Sequence, residues 1–503
     1  DSQMSQPPLQ PSTQRVQIPD TGATFRERLK VPMASFAFGS LRFMSHNIHF
    51  KLFETISHKS KPGPCNRQIF QAESPLRSLP TPTNMSFRGF LQELRDENIL
   101  QEIERPVSTI LEAAAQSPGS GPLFFSDLDG KRCGMNLIES RPLLAKALGT
   151  TVKEMVPWLS KIELGDGSVK EVNSSPFQEV VSEPDLGKLP ILTHFKGDGG
   201  PYITSGIVVS SFGEEINASV HRMMVIGKDK LAARLVPGRH THRLLQKALD
   251  AEKRLPVGIA IGIDPVVLIA ASTRVPENME FQYASALKGE PVELVTLDNG
   301  IRVPHAEIIL EGYIGPERAP EGPFVDITGT QDFVRDEPVI HLTKMMTRED
   351  PIYHALLPSG GEHKMLMGIP YEPLIYKEVG KVVKVKDVVL TEGGCSYLHA
   401  VVQIEKRDES DGLKAIEATM KAHGSLKHVM IVDSDINIHD SQDLEYALAT
   451  RVRADEDLVI YPNVRGSTLD PRSVDGLTTK VGVDATMILG EEEKFVRIKT
   501  EMA

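Results

Sequence analysis

Apolar positions along the chain change period twice. Phe87, Phe90, Leu91 and Leu94 recur at helical spacing behind Ser86, a side chain suited to cap a helix, and Ile99-Leu100 leads on into a short strand. From about residue 200 the pattern becomes one of closely spaced β-rich runs, over 202–211, 216–227 and 231–236, separated by Gly, Glu-Glu and Lys-Asp-Lys turns. That succession predicts a meander curling into a small barrel. A helix is expected over 243–254, then a strand running into an apolar helix over 257–273, a helical stretch over 281–288, and strands over 292–296 and 303–313. Beyond about 335, strands and helices alternate over 339–345, 382–391, 400–405, 415–422, 428–438 and 444–450, the pattern of an α/β unit. No internal repeat is visible. The fold class expected is therefore a multidomain α+β and α/β chain, with an N-terminal α/β region over 85–199, a central β domain over 200–335 and a C-terminal α/β domain over 336–503.

Composition narrows the function. The first 84 residues hold ten prolines and ten Lys/Arg against five Asp/Glu, a net +5, so the remainder carries −17 of the total −12. That stretch reads as a disordered or non-native extension. Its charge would suit organelle targeting, although Pro-rich runs such as Gln6-Pro7-Pro8 and the lack of a clear amphipathic helix speak against it, and cytoplasm is the default compartment. An acidic body argues against general nucleic-acid binding. No run of about 18 apolar residues predicts a membrane span. Three scattered cysteines, Cys65, Cys133 and Cys395, fit neither a disulfide framework nor a thiolate metal site, and point to a reducing compartment. A metal would take nitrogen and oxygen ligands.

The chemistry concentrates in two places. In Pro320-Glu321-Gly322-Pro323-Phe324-Val325-Asp326-Ile327-Thr328-Gly329, two carboxylates stand five residues apart around a stiff Gly-Pro-Phe bend that can aim both into one cavity. Taken alone, such a pair is more often an acidic surface turn. In Asn217-Ala218-Ser219-Val220-His221-Arg222, a regular strand would set Asn217, Ser219 and His221 on one face and Arg222 on the other, unless a bulge intervenes. Asn217, His240 and Glu280 make a hard N/O set suited to Mg²⁺ or Mn²⁺. Each also has an ordinary structural use: a sheet partner, a satisfied histidine, an acid at a helix N-terminus.

The strings Asn217-Ala218-Ser219-Val220-His221-Arg222-Met223-Met224, Pro237-Gly238-Arg239-His240, Pro320 to Asp326 and Ala449-Thr450-Arg451 resemble the ordered motifs of the UbiD family of decarboxylases, which use prenylated FMN. The likeness covers essentially residue 85 to the C-terminus. Gly199-Gly200-Pro201-Tyr202-Ile203-Thr204 and Tyr353-His354-Ala355-Leu356-Leu357-Pro358 are most similar to its shorter archaeal-type branch. The resemblance implies a split β-barrel flavin-binding domain in the centre and oligomerisation, as a homodimer or higher assembly, through the C-terminal domain. It implies that Asn217, His240 and Glu280 hold a divalent ion, Mn²⁺ or Mg²⁺, on the flavin phosphate, and that Arg222, Glu321 and Asp326 form the catalytic network. Ser219, Val220, His221, Arg222, Arg239, Ala271, Ser272 and Lys427 complete the implied cofactor contacts, Lys427 being preferred to Lys421 as the phosphate-contacting lysine. Arg451 would lie near a K⁺ site formed with backbone oxygens around Ala271 and Ser272. A prenyltransferase would be the source of the cofactor.

That set fits the reaction. Loss of CO₂ from an sp² carbon leaves electrons with nowhere to go, so the protein imports an electron sink. Arg222 can orient the departing carboxylate, and one of two neighbouring acids, whose mutual repulsion favours a protonated partner, returns a proton; Asp326 is assigned as donor and Glu321 as its partner with Arg222. Lys364, next to His363, together with Arg465 and Ser467 would suit a phosphorylated acid. The expected reaction is reversible decarboxylation of an α,β-unsaturated acid, with trans-anhydromevalonate 5-phosphate giving isopentenyl phosphate and CO₂ in a modified mevalonate route. The alternatives are a 4-hydroxybenzoate-type or cinnamate-type acid, or a non-catalytic flavin-binding subunit of a carboxylase.

Overall fold

Ser86 accepts a hydrogen bond from the Gly89 amide at 3.1 Å and starts the helix Phe87–Asp96. Phe87, Phe90, Leu91 and Leu94 form its buried face, as their spacing predicts. The computed structural model describes residues 86–498, and the expectations for 1–84 lie outside the described residues. The first helix packs beside a four-stranded sheet ordered Gln101–Ile103, Leu123–Leu128, Lys131–Met135 and Ile352–Ala355. The last of these strands comes from more than 200 residues downstream and pairs in parallel with the third.

A nine-stranded sheet forms the centre. Its path runs Tyr202–Ile203, Met223–Val225, Lys230–Ala233, Arg335–Thr347, Ala306–Glu321, Leu255–Ile263, Ile207–Phe212 and Glu215–Val220, with Val180–Ser182 added on Arg335–Thr347. The two ends of this path are not paired with each other, so the meander expected to curl into a small barrel forms an open sheet. Hairpin signals are local, and they could not show that three later strands insert between the early ones. The runs expected over 202–211 and 216–227 are also each broken, at Thr204–Gly206 and at His221–Arg222. The breaks match: Ile207 pairs with Val220 on one side and Ile203 with Met223 on the other.

The long strands Ala306–Glu321 and Arg335–Thr347 are antiparallel, and their register ends with Glu321 opposite Arg335. Between them lies a small hairpin in which Phe324 and Val325 pair with Asp332 and Gln331. The C-terminal part builds a five-stranded sheet ordered Lys384–Leu390, His399–Glu405, His428–Asp433, Leu477–Ala485 and Leu458–Arg465, with helices Asp411–Ala422 and Ser441–Arg451. Its last two strands and the helices Gly361–Gly368 and Glu372–Val379 were not foreseen, because short apolar runs give no clear period. One apolar cluster runs continuously from Phe87, Phe90 and Leu94 through the helix Pro265–Ser272, buried from Pro265 to Ala271, to Ile375, Val402 and Ile431. Each such side chain contributes about 1.5–3 kcal/mol. No described helix is long and apolar enough to cross a membrane.

Phe90 is fully buried in that cluster, so Phe90→Ala should destabilise the protein by about 3–5 kcal/mol. The single tryptophan, Trp158, packs against the same cluster, and its fluorescence during chemical denaturation reads the change; an unmoved midpoint would contradict the shared core.

Candidate active site

The break after Val220 releases Arg222 from the strand's alternation and turns it toward the acidic bend. Arg222 Nε donates to Glu321 Oε1 at 3.0 Å and Nη2 donates to Glu321 Oε2 at 3.0 Å, a bidentate pairing. Nη2 also donates to Asp332 Oδ2 at 2.8 Å, and Nη1 to Asp326 Oδ2 at 3.3 Å. The Phe324 ring lies 4.6 Å beneath the guanidinium carbon. Tyr202 tilts against Phe324 at 4.6 Å, and its hydroxyl donates to Glu321 Oε1 at 3.1 Å. Burial, reinforced by Glu321, pushes the Tyr202 phenol well above its ordinary value and keeps it a neutral donor. Burial works against the Arg222 charge, but Glu321 and Asp332 outweigh it and raise its pKa.

The carboxylates are not equivalent. Glu321 has no exposed side-chain surface, whereas the Asp326 side chain keeps 20%. Asp326 Oδ1 accepts from the Ile327 amide at 2.7 Å, and its own amide donates to Thr330 O at 3.0 Å, which holds it on the turn of the small hairpin. The bend itself is shaped by Gly322, whose φ of +102° suits glycine. It is braced by the Gly199 amide, which donates to Pro323 O at 2.9 Å; a Cβ on Gly199 would collide with the Gly322 carbonyl. Ser359 Oγ donates to Ile327 O at 3.1 Å, and the Ser359 amide donates to His363 Nδ1 at 3.0 Å. His363, and with it Lys364 on the first turn of the helix Gly361–Gly368, is thereby brought to the hairpin. Burial lowers the His363 pKa against the opposing effect of Asp326.

A second polar cluster forms on the strand Glu215–Val220. His221 Nδ1 donates to Arg234 O at 3.1 Å, so Nε2 accepts from Ser219 Oγ and Thr241 Oγ1, at 2.9 and 3.0 Å. Asn217 Nδ2 donates to the same two hydroxyls, each at 2.9 Å. The Asn217 carbonyl is thus left free to face a cation. The helix His240–Asp250 begins three residues earlier than expected, so His240 stands on its first turn, next to Arg239 at the cap position. The helix Glu280–Lys288 starts at Glu280, as expected. His240 Nδ1 and Glu280 Oε1 are 3.9 Å apart. Burial lifts Glu280 to about 7, offset only in part by its own amide and that of Ala218. Burial, then Arg243, lowers the His240 pKa, which leaves a neutral imidazole. A neutral His, an amide oxygen and a buried carboxylate without a Lys or Arg partner are the donor types a divalent ion takes. No group of three or more His, Cys, Asp or Glu suited to a metal occurs among the described residues, and this trio holds only two of those types.

Other expected site residues stand apart. Ala271 and Ser272 end the helix Pro265–Ser272, and Ser272 Oγ donates back to Leu268 O at 2.9 Å. Arg451 is committed within the C-terminal domain, donating to Asp433 at 2.9 Å and to Asp435 at 2.6 Å. Lys427 donates to the buried Asp470 at 2.9 Å, and the Asp470 amide donates to Ser467 O at 3.2 Å, so Lys427 and Ser467 share one corner of that domain. Arg465 is exposed at the end of the strand Leu458–Arg465. Asp332, Tyr202 and Thr241 were missed as site residues. Asp332 follows the acid pair by only six residues, and nothing in its local sequence separated it from a loop acid.

Residues 91–162, 169–361 and 364–485 match, in order, the N-terminal, Rift-related and C-terminal domain models of UbiD, the 3-octaprenyl-4-hydroxybenzoate carboxy-lyase family. The chain is 56% identical over 417 residues to anhydromevalonate phosphate decarboxylase from Methanosarcina mazei, across 82% of this chain and 99% of that relative.

The chain belongs to the UbiD family of carboxy-lyases.

It is also 46% identical over 370 residues to the protein of the same name from Archaeoglobus fulgidus, covering 73% of this chain and 85% of the relative. Among solved structures it resembles the UbiD-class enzyme HmfF from Pelotomaculum thermopropionicum in complex with FMN, with a TM-score of 0.80 and 35% identity over 82% of this chain and 97% of that one. It also resembles a 3,4-dihydroxybenzoic acid decarboxylase from Enterobacter cloacae, with a TM-score of 0.78 and 26% identity over 83% and 97%. These likenesses confirm the family and its mixed α/β fold.

The buried acid carries a pH signature. In metal-free protein the unfolded chain releases the Glu280 proton near 4.5 and the fold near 7, so stability falls as pH rises through that window. The loss should be about 3 kcal/mol between pH 4 and pH 8, and Glu280→Gln should flatten it. Denaturation midpoints of both proteins across that range test this; equal slopes would remove Glu280 as the source.

Proposed function

We propose that the chain is a prenylated-FMN-dependent decarboxylase of a phosphorylated α,β-unsaturated acid, with trans-anhydromevalonate 5-phosphate as substrate and isopentenyl phosphate and CO₂ as products. The single observation that carries the chemistry is the Arg222 network, in which one acid is locked in a buried bidentate pair and the other, Asp326, stays open to a ligand. The 56% identity to an archaeal anhydromevalonate phosphate decarboxylase supports the substrate.

Asn217, His240 and Glu280 would hold Mn²⁺ or Mg²⁺ against the flavin phosphate, near the first turn of the helix His240–Asp250, where free amides favour an anion. Ser219, Val220, His221 and Arg239 would line the same end, with Ala271 and Ser272 near the flavin and a K⁺ site, and Lys427 on the phosphate. When bound, prenylated FMN supplies the electron sink that the side chains lack. Arg222 orients the substrate carboxylate through Nη1, while its pairing with Glu321 keeps it charged and in place. The apolar ring of Phe324 limits water around the departing group. Asp326 delivers the proton to the carbon left behind, being the acid that keeps exposed side-chain surface and the longest contact to Arg222. Lys364, Arg465 and Ser467 would meet the substrate phosphate, the last two from the C-terminal domain. A second copy of the chain is the expected partner, and a prenyltransferase the cofactor source.

Asp326→Asn should retain bound flavin but lose CO₂ release by about 10²–10⁴-fold, the usual scale for a general acid. The measurement is CO₂ release from flavin-loaded protein supplied in turn with anhydromevalonate 5-phosphate, 4-hydroxybenzoates and cinnamates. Faster turnover of an aromatic acid would replace the substrate assignment. Bound flavin with no release from any acid would favour a non-catalytic subunit.

A further inference from the structure

Arg222 has five N–H groups, and four are in use. Glu321 takes Nε and one N–H of Nη2, Asp332 takes the other N–H of Nη2, and Asp326 takes one N–H of Nη1 at the longest of these distances, 3.3 Å. The free N–H therefore lies on Nη1, the nitrogen already turned to Asp326. Asp332 is itself tightly held. Arg335 Nη1 and Nη2 donate to its two oxygens, each at 2.7 Å, and the Phe333 amide donates to Oδ1 at 2.9 Å. Although burial favours its neutral form, Arg335 and Arg222 hold the Asp332 carboxyl far below the usual carboxylate range. Arg335 is fixed in turn, because it opens its strand directly opposite Glu321 in the antiparallel ladder. The two anchors on Arg222, Glu321 and the Asp332–Arg335 pair, thus start from register partners on two long strands.

We propose that Asp332, fixed by Arg335, is a positioning residue that blocks Nη2 of Arg222 and so confines the substrate carboxylate to Nη1, beside the proton donor Asp326. The inference rests on the decarboxylase reading. Its consequence is geometric: a carboxylate free to bridge Nη1 and Nη2 would grip Arg222 more firmly yet displace Asp326 from it. Charge points the same way. When Asp326 carries the proton it donates, Glu321 and Asp332 balance Arg222 and Arg335; removing Asp332 then leaves a net positive site for an anionic substrate, and removing Arg335 a net negative one.

Steady-state kinetics of flavin-loaded Asp332→Ala and Arg335→Leu, with CO₂ release as readout, test this. Asp332→Ala should lower KM roughly threefold to tenfold and lower kcat roughly tenfold to a hundredfold, because a bound substrate about 1 Å out of place reacts slowly. Arg335→Leu should raise KM by a similar factor. Asp332→Asn, which keeps the side-chain volume and an oxygen that can still accept from Nη2, should lower KM through the lost charge while lowering kcat less than Asp332→Ala, and its KM shift is the readout if Asp332→Ala fails to retain flavin. KM values that move together, or stay fixed while kcat falls in both, would mean a merely structural role and overturn the assignment. If the unaltered protein releases no CO₂ from any acid, the failure lies with the decarboxylase reading instead.

Discussion

Glu321 has no solvent to share its charge with, and Arg222 is the group that makes its burial tolerable. A buried carboxylate is costly unless it is paired and hydrogen-bonded, and Glu321 has both, through two guanidinium contacts and the Tyr202 hydroxyl. Much of the central architecture serves to bring these groups together. The strand must stop at Val220 so that Arg222 can leave the sheet. The bend at Gly322 must turn back without a side chain, and the Gly199 loop must come close enough to brace it. A guanidinium anchored along one edge then presents its remaining nitrogen in a fixed direction, which is what recognition of a carboxylate requires.

One strand joins the two halves of the site. Along Glu215–Val220 the alternation of side chains sends Asn217 and Ser219 to a cluster at two helix N-termini, and His221 continues that face past the strand's end. Arg222, one residue on, faces the acids. The hydroxyl-histidine cluster and the arginine-acid cluster therefore lie at a separation set by a few residues of backbone. A flavin held by its phosphate at the first end would supply the electron sink, and the substrate carboxylate would be oriented by Arg222 at the second.

The elements legible in the sequence were those with strong local signals. The capped helix at Phe87, the helix beginning at Glu280 and the alternating C-terminal strands follow from spacing, caps and turn residues. The acid bend was recognisable from its Gly-Pro-Phe chemistry, although local reasoning alone made a surface turn the better reading. What could not be read was pairing. The order of strands in the central sheet depends on pairings between segments far apart in sequence, such as Ala260 with Ile207 and Lys230 with His341, and no period along the chain encodes them. For the same reason the expected small barrel is an open sheet.

The sequence by itself determined which side chains are available: a run with alternating Asn, Ser and His followed by an arginine, two acids around a stiff bend, a histidine after a Pro-Gly turn, and a glutamate at a helix start. These follow from local stereochemistry, which a short window of residues contains. Only the tertiary structure decided which of the acids is buried and which open, that Asp332 and Arg335 complete the setting of Arg222, and that Arg451 is spent on Asp433 and Asp435 within its own domain. Burial and ion pairing depend on what the rest of the chain brings alongside, and that is settled by the register of two long strands.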